Sequence, residues 1–496
     1  MDNYIEFIKA RLKKLDDIYY RKMNVNGNNI WIIYNESLVD SNLVSNFVVR
    51  SLVELIENTD FSVKSLKDKI DLKLGKIDIN LENSIAINKV KKLDKSDTTV
   101  FSYILSGFVM IYINSEVYVV EARGNLSRSI SEPVNENSIR GAKDSFVENI
   151  VKNIGLVRNR IKSEDLFYNE RLIGTKTKTK VGLMYIQNVV KHDLVEYVEK
   201  KLEDIIIDGI LDVNYIAEYI EENNESDFPI SIVTERPDVT SYYLLQGRIV
   251  ILVDNSPYAL ILPAFFEDFV NNIDDYYQRK SNVFITKLIR YICMVLTVMT
   301  PAFYLSLITF DQESIPTDLL ISFTSQREGV PFPAFVEAII MIFAFEVLRE
   351  SDLRSNKISG NTLSIVGALI LGDAAVSAGI VSPIMIIVVA LTVISGLTFQ
   401  DINIINALRK WRILFLIFSS LCGLVGIAVA STFFITSLVC TTSYTKAFTY
   451  PLAPLDELQA KYNILSRKFI PKDTNREKIL SNNLTKAREK RWKGIY

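Results

Sequence analysis

The feature that most limits what this chain can become is a change of character near residue 282. Before Asn282 the sequence is rich in Asp, Glu, Lys and Asn. From Leu288 charges are sparse, and runs such as IVGALILGDAAVSAGIVSPIMIIVVALTVISGL recur as far as Cys440. An apolar helix of about 20 residues, rising ~1.5 Å per residue, spans the hydrocarbon core of a bilayer. The expectation is an integral membrane protein: an α/β soluble region of two tandem related subdomains followed by an all-α polytopic membrane domain. Its parts are expected at 1–130 (cytoplasmic α/β subdomain), 131–283 (bridging helix and a second cytoplasmic α/β subdomain), 284–455 (transmembrane domain) and 456–496 (basic cytoplasmic tail).

The apolar segments are expected at 288–310, 331–348, 362–380, 383–399 and 413–440, the fourth beginning at Pro383. Arg290 lies where a long side chain can reach the interface. The connection after the first segment, DQESIPTDLLISFTSQREGV, is acid-rich, whereas the next carries Arg349, Arg354 and Lys357 and a later one Arg409, Lys410 and Arg412. Cytoplasmic connections carry the excess of Lys and Arg, so the latter two are expected inside. The N-terminus, MDNYIEFIKARLKKLDDIYY, has no central apolar run and does not read as a signal peptide, which also places the soluble region in the cytoplasm. The tail from Lys461 is strongly basic and should share that side. Either 413–440 forms a hairpin of short or partly re-entrant helices, or the tail is external; the hairpin is preferred.

The soluble half contains a repeat. With Gly107 set against Gly247, SYILSGFVMIYINSEVYVVE falls into register with YYLLQGRIVILVDNSPYALI. Each copy has a Gly, an apolar run, a pair of turn-forming residues (Asn114-Ser115, Asp254-Asn255) and a second apolar run, the pattern of a β-hairpin. Upstream, Asn29–Tyr34 and Gly182–Gln187 read as strands, and Asn42–Asn58 and His192–Ile207 as helices. Between the copies, Phe146, Ile150, Ile154, Val157 and Ile161 recur at helical spacing, predicting a bridging helix over Arg140–Ile161.

Ionisable residues inside apolar segments are candidate functional groups because their desolvation costs about 3 kcal/mol. Asp373 lies in LILGDAAVSAG, and Glu337 and Glu346 lie nine residues apart in the second segment, on similar faces of one helix. Gly367, Gly372 and Gly379, with Pro383 between two short helices, provide small-residue surfaces for close packing. One reading is an acid-lined ion pathway or gate at Glu337, Asp373 and Glu346. The other is that these carboxylates pair with Arg290, Arg349 or Arg354. For Glu346, one turn from Arg349, pairing is favoured; for Glu337 and Asp373 both readings stand.

Other functions are disfavoured. A net charge of −2 does not suit a nucleic-acid binder. Cys293, Cys422 and Cys440 form no C-x-x-C pair, and His192 is the only histidine, so zinc sites and disulfide frameworks are not expected. GTKTKTK at Gly174 lacks phosphate-loop spacing and reads as an exposed turn. His192 opens a predicted helix as an ordinary surface residue. No catalytic residue, cofactor or metal is expected.

Several segments then resemble one family. EPVNENSIRGAKDSFVENIVKNIGLVRNRIK (Glu132–Lys162), DDYYQRK (Asp274–Lys280), REGVPFPAFVEAIIM (Arg327–Met341), FEVLRES (Phe345–Ser351) and SIVGALILGDAAVSAGIVSP (Ser364–Pro383) are similar to the signatures of the GerA spore germination family, the A subunits of nutrient germinant receptors. The resemblance runs through nearly all of Leu105–Leu455. It implies a non-enzymatic subunit in the spore inner membrane, with its N-terminal domain on the core side. It further implies a homo-oligomer, a pentamer, forming a nutrient-gated channel for monovalent cations, with a transporter-like B subunit and a lipoprotein C subunit as partners alongside membrane lipid. The competing classes are a secondary transporter, which usually needs more spans and inverted repeats, and a membrane-anchored scaffold subunit.

Overall fold

The computed structural model describes residues 3–13, 15–25, 28–54, 90–94, 99–124, 133, 136, 138, 140–221, 226–354, 372–444, 446–460 and 479–481. The chain forms two units, one of residues 1–223, 231–263 and 471–496, the other of residues 224–230 and 264–470.

The first unit holds two five-stranded antiparallel sheets of the same order. The first sheet contains β1 (Ile18–Val25), β2 (Asn28–Asn35), β3 (Val90–Leu93), β4 (Phe108–Ile113) and β5 (Glu116–Glu121), in the order β1-β2-β4-β5-β3. Its faces are built by strand alternation. Met110, Tyr112, Val117 and Val119 pack with Ile5 and Ile8 of α1 (Asn3–Arg11), with Leu12 just after it, and with Phe101 and Ile104 of α2 (Thr99–Ile104). On the other face Val109, Ile111, Tyr118 and Val120 pack with Val44, Val48 and Leu52. A strand covered on both faces needs an unbroken apolar run, which is why FVMIYI and, in the second sheet, IVILV lack polar residues.

The second sheet contains β6 (Leu166–Ile173), β7 (Thr179–Ile186), β8 (Ile232–Thr234), β9 (Ile249–Val253) and β10 (Ala259–Leu262), in the order β6-β7-β9-β10-β8. Gly107 and Gly247, matched by sequence, both precede a central strand with positive φ (84° and 97°), a conformation that residues with a Cβ rarely adopt. The turns Asn114-Ser115 and Asp254-Asn255 contain left-handed residues in each copy. Gly174 leaves β6 in the exposed turn to β7, and His192 opens α4 (His192–Glu203), where its exposed ring lies 3.4 Å from Glu196.

Two helices are shorter than their periodicity suggests. The bridging helix α3 spans Ile150–Arg160, not Arg140–Ile161. Asn149 caps it by accepting from the Lys152 amide, and the preceding residues are not helical: the Phe146 amide donates to the Glu235 carbonyl, and the Val147 amide to Asn153 Oδ1. Phe146 is therefore buried without being helical. α4 ends at Glu203, short of the expected Ile207. Two further helices of this unit are α5 (Val213–Glu221) and α6 (Pro237–Gln246).

Partly buried Glu136, within the first family-like segment, accepts from Thr234 Oγ1 (2.8 Å) and the Glu235 amide (3.1 Å). Burial outweighs those hydrogen bonds, and nearby Glu235 adds to it, so the Glu136 pKa is pushed up to about 7. A carboxyl whose pKa is raised on folding binds more protons in the folded state between its unfolded and folded values. Stability then falls as pH rises through that window. Between pH about 4.5 and 7 this group is expected to remove up to about 3 kcal/mol from the stability of the first unit. Glu136→Gln should flatten that slope in thermal melts across this range; an unchanged slope would assign the pH dependence elsewhere.

The second unit is helical. It contains α7 (Lys280–Thr309), α8 (Thr317–Arg327), α9 (Ala334–Arg354), α10 (Pro383–Gly396) and α11 (Ile402–Cys440). Asn282–Thr309 and Ile402–Cys440 are long and apolar enough to cross a membrane, and Pro383–Gly396 is a shorter apolar helix. α7 begins before the expected 288, and the segment expected at 413 starts at Ile402. The acid-rich connection carries the exposed helix α8. Of the expected 362–380 segment, residues 362–371 lie outside the described residues.

Candidate functional site in the helical unit

The last apolar run is not one straight helix. Gly423 has φ 60° and ψ −136°, a non-helical conformation inside α11. Trp411 and Phe434 would stand about 35 Å apart along an unbroken helix, yet their ring centroids are 5.2 Å apart. Phe415–Phe434 (6.3 Å) and Phe418–Phe433 (6.0 Å) extend the contact toward the reversal. The chain folds back on itself at Gly423 as two antiparallel arms. α7 runs alongside the first arm in the same direction: Arg412 Nε donates to the Thr297 carbonyl (2.9 Å), Ser419 Oγ to the Ala302 carbonyl (2.6 Å), and the Leu424 amide to Asp311 Oδ2 (3.2 Å) at the turn.

Glu337 stands in the first turn of α9 and is wholly buried. Pro333 just before α9 and Ser382-Pro383 at the start of α10 set the site: Pro383 occupies the first turn of α10, and Ser382 caps it by accepting from the Met385 amide (3.3 Å). Glu337 Oε1 accepts from the Ser382 amide (2.6 Å) and hydroxyl (2.5 Å). The carboxylate thus sits against the start of a helix, where the amide dipoles favour negative charge. Its other oxygen, Oε2, has no hydrogen-bond donor among the described residues, and the nearest cation is Arg327 Nη2 at 3.8 Å. Helices α7, α9 and α10 supply an apolar cluster that includes Tyr304, Leu305, Ala338, Met341 and Met385.

Glu346 has a different setting. Arg409 binds it through Nε (2.8 Å) and Nη2 (2.6 Å), Arg349 Nε lies at 3.3 Å, and Arg412 Nη1 at 3.8 Å. Three guanidinium groups around one carboxylate form a net positive cluster. Asp373 is exposed. The structure therefore does not bring Glu337, Glu346 and Asp373 into one site. Arg290, a candidate partner for them, instead holds Asp275 at 2.5 and 3.0 Å.

Among the packing residues, Gly372 is buried beside Ile386, and Gly379 (φ 64°) approaches the Gly329 carbonyl so closely that a Cβ would lie 3.2 Å from it. Gly367 lies outside the described residues. Ser382 and Arg327, which complete the Glu337 site, were not singled out from sequence. The Ser-Pro pair opening an apolar run is the helix-start signal that points to Ser382. Among the described residues no group of three or more His, Cys, Asp or Glu side chains could hold a metal ion.

Comparison with known proteins decides the family. Residues 6–479 match the profile described as Bacillus/Clostridium GerA spore germination protein. The chain belongs to the GerA family. Spore germination protein KA of Bacillus subtilis is 35% identical to it, with 91% of this chain and 82% of that protein covered. Spore germination protein GerLA of Bacillus cereus is 31% identical, with 90% and 89% covered. The crystal structure of the N-terminal domain of the A subunit of the Bacillus megaterium spore germinant receptor GerK3 is similar at 29% identity. That match covers 53% of this chain and 94% of the domain, with a TM-score of 0.37.

Proposed function

We propose that this GerA-family chain is the A subunit of a germinant receptor. In this reading several copies, five by family resemblance, assemble in the spore inner membrane into a nutrient-gated channel for monovalent cations. The soluble unit faces the spore core, and a transporter-like B subunit and a lipoprotein C subunit complete the receptor. The chain itself is not an enzyme.

The observation that carries the membrane part of this reading is the buried Glu337 carboxylate, with one oxygen held by Ser382 and the other without a donor among the described residues. A simple anchor has no use for a charge that is expensive to place there. The exposed apolar side chains of α7 and α11, among them Leu288, Ile292, Phe303, Ile417 and Val425, suit lipid or a neighbouring copy. The reversal at Gly423 supports a topology in which the last run crosses twice, with Arg409, Lys410 and the basic tail all inside. Glu337 and Asp373 are the proposed ion-path groups, while Glu346, within its arginine cluster, is proposed as a charge-paired group at the path's inner end. The test is cation efflux from liposomes carrying the assembled receptor, with Glu337→Gln and Asp373→Asn compared with the native chain. Efflux altered in either variant supports the assignment; efflux and gating unchanged in both remove it and favour a scaffold role.

A further inference from the structure

The two repeats differ in how each is closed, and the difference involves the far end of the chain. Their shared loop can be matched atom by atom. In the first repeat the Glu36 amide donates to the Asp17 carbonyl (2.9 Å) and the Leu38 amide to the Asn35 carbonyl (3.3 Å). In the second, the Gln187 amide donates to the Asp165 carbonyl (3.0 Å) and the Val189 amide to the Ile186 carbonyl (3.0 Å). Val39 therefore corresponds to Val190, and Asp40 to Lys191.

In the first repeat this loop is closed by the residues that directly follow β5. The Asp40 amide donates to the Ala122 carbonyl (3.0 Å), and Val39 forms an antiparallel bridge with Arg123. The second repeat has no such continuation, because after β10 and Pro263 the chain passes to the helical unit. Its loop is closed instead by residues more than 200 positions later: the Lys191 amide donates to the Leu480 carbonyl (3.0 Å), and Val190 forms the antiparallel bridge with Ser481. Leu480 is fully buried and Ser481 nearly so. The matched glycines show the same substitution. A Cβ on Gly107 would meet Arg123, whereas one on Gly247 would meet Leu480 and Ser481.

We propose that the second repeat carries a docking seat, formed by Val189–Lys191 and Gly247, whose occupant is the chain's own C-terminal segment around Leu480–Ser481. The seat exists because the second repeat, whose chain passes to the helical unit after Pro263, has no closing segment directly after β10. Docking returns the tail to the soluble unit and requires both to lie on one side of the membrane, so the chain crosses an even number of times. The inference does not depend on the channel reading.

Directly opposed residues in an antiparallel bridge have Cα atoms about 4.5–5.5 Å apart, within the range of about 4.4–6.8 Å that a disulfide spans. The first repeat therefore supplies its own positive control. Full-length chain in native membranes would carry Val190→Cys with Ser481→Cys, or Val39→Cys with Arg123→Cys, and a protease site between the paired positions. Single-cysteine variants report any pairing with Cys293, Cys422 or Cys440. After mild oxidation and cleavage, both double variants are expected to stay joined under non-reducing conditions and to separate on reduction. Retention in the Val39/Arg123 pair together with release of the tail in the Val190/Ser481 pair would overturn the proposal. As a second readout, Leu480→Asp should increase protease cleavage of the second repeat several-fold while leaving the first repeat unchanged; equal cleavage of native and variant chains would contradict a closing role.

Discussion

Arg158→Ala is expected to destabilise the first unit by about 3–5 kcal/mol, the usual cost of stranding one partner of a buried ion pair. Arg158 lies on the bridging helix and Asp17 at the start of β1, and both are almost fully buried. The guanidinium donates through Nε to Asp17 Oδ2, through Nη2 to Oδ1 at 2.7 Å, and through Nη1 to the Leu166 carbonyl at 3.3 Å. Asn35 Nδ2 adds a donor to Asp17 at 2.7 Å. Removing the arginine leaves a carboxylate with one neutral donor in a site closed to water. The pair joins residues 141 positions apart and ties the first repeat to the bridge and to β6, so the loss should loosen the two repeats together. Thermal unfolding of the single variants and of Asp17→Leu/Arg158→Met checks this. The double replacement should recover much of the loss, because two apolar side chains leave no stranded charge. Additive losses would show that the pair is not coupled.

The second large effect is expected at the reversal in α11. The two arms approach so closely that a Cβ on Gly426 would lie 2.0 Å from the Phe418 carbonyl oxygen; at the turn, one on Gly423 would lie 2.8 Å from Cβ of Phe310, the C-cap of α7. Backbone atoms cannot yield as a flexible side chain can. Gly426→Val should therefore prevent the arms from closing and sharply reduce the folded chain recovered from membranes. Gly423→Ala adds a strained backbone conformation at a cost of about 1–3 kcal/mol. Gly396→Ala is the control: its Cβ would meet Thr297 Cγ2 at 3.5 Å, an ordinary contact. Recovery of Gly426→Val in mild detergent equal to that of Gly396→Ala would contradict the folded-back arrangement.

The repeat was readable in the sequence because Gly107 and Gly247, the turn pairs and the flanking apolar runs are each demanded by local backbone geometry. The bridging helix was overextended for the converse reason. Phe146 continues the apolar period, yet tertiary hydrogen bonds from Phe146 and Val147 hold that stretch out of the helix. Only the charge alternation of the connections points to a hairpin in the last apolar run, and nothing in it singles out Gly423. An apolar hairpin does not need the polar turn residues that mark a reversal in water, so the residues themselves gave little sign of it. Glu337 stood out as an acid in an apolar segment, but its partners Ser382 and Arg327 lie 45 and 10 residues away and no periodic pattern links them. For Glu346 one arginine was within helical reach, while Arg409 and Arg412 arrive from another helix. Long-range pairs of this kind, like Asp17–Arg158 and Lys191–Leu480, leave no local trace.

In the proposed channel, monovalent cations cross along a path that includes Glu337. Its most direct measurement is nutrient-triggered monovalent cation efflux from liposomes holding the chain with its receptor partners. Efflux is expected with the native chain, with a clear change in its rate or gating for Glu337→Gln, a substitution that keeps the side chain's size but removes its charge. No efflux from liposomes carrying correctly folded, assembled native receptor would contradict the proposal.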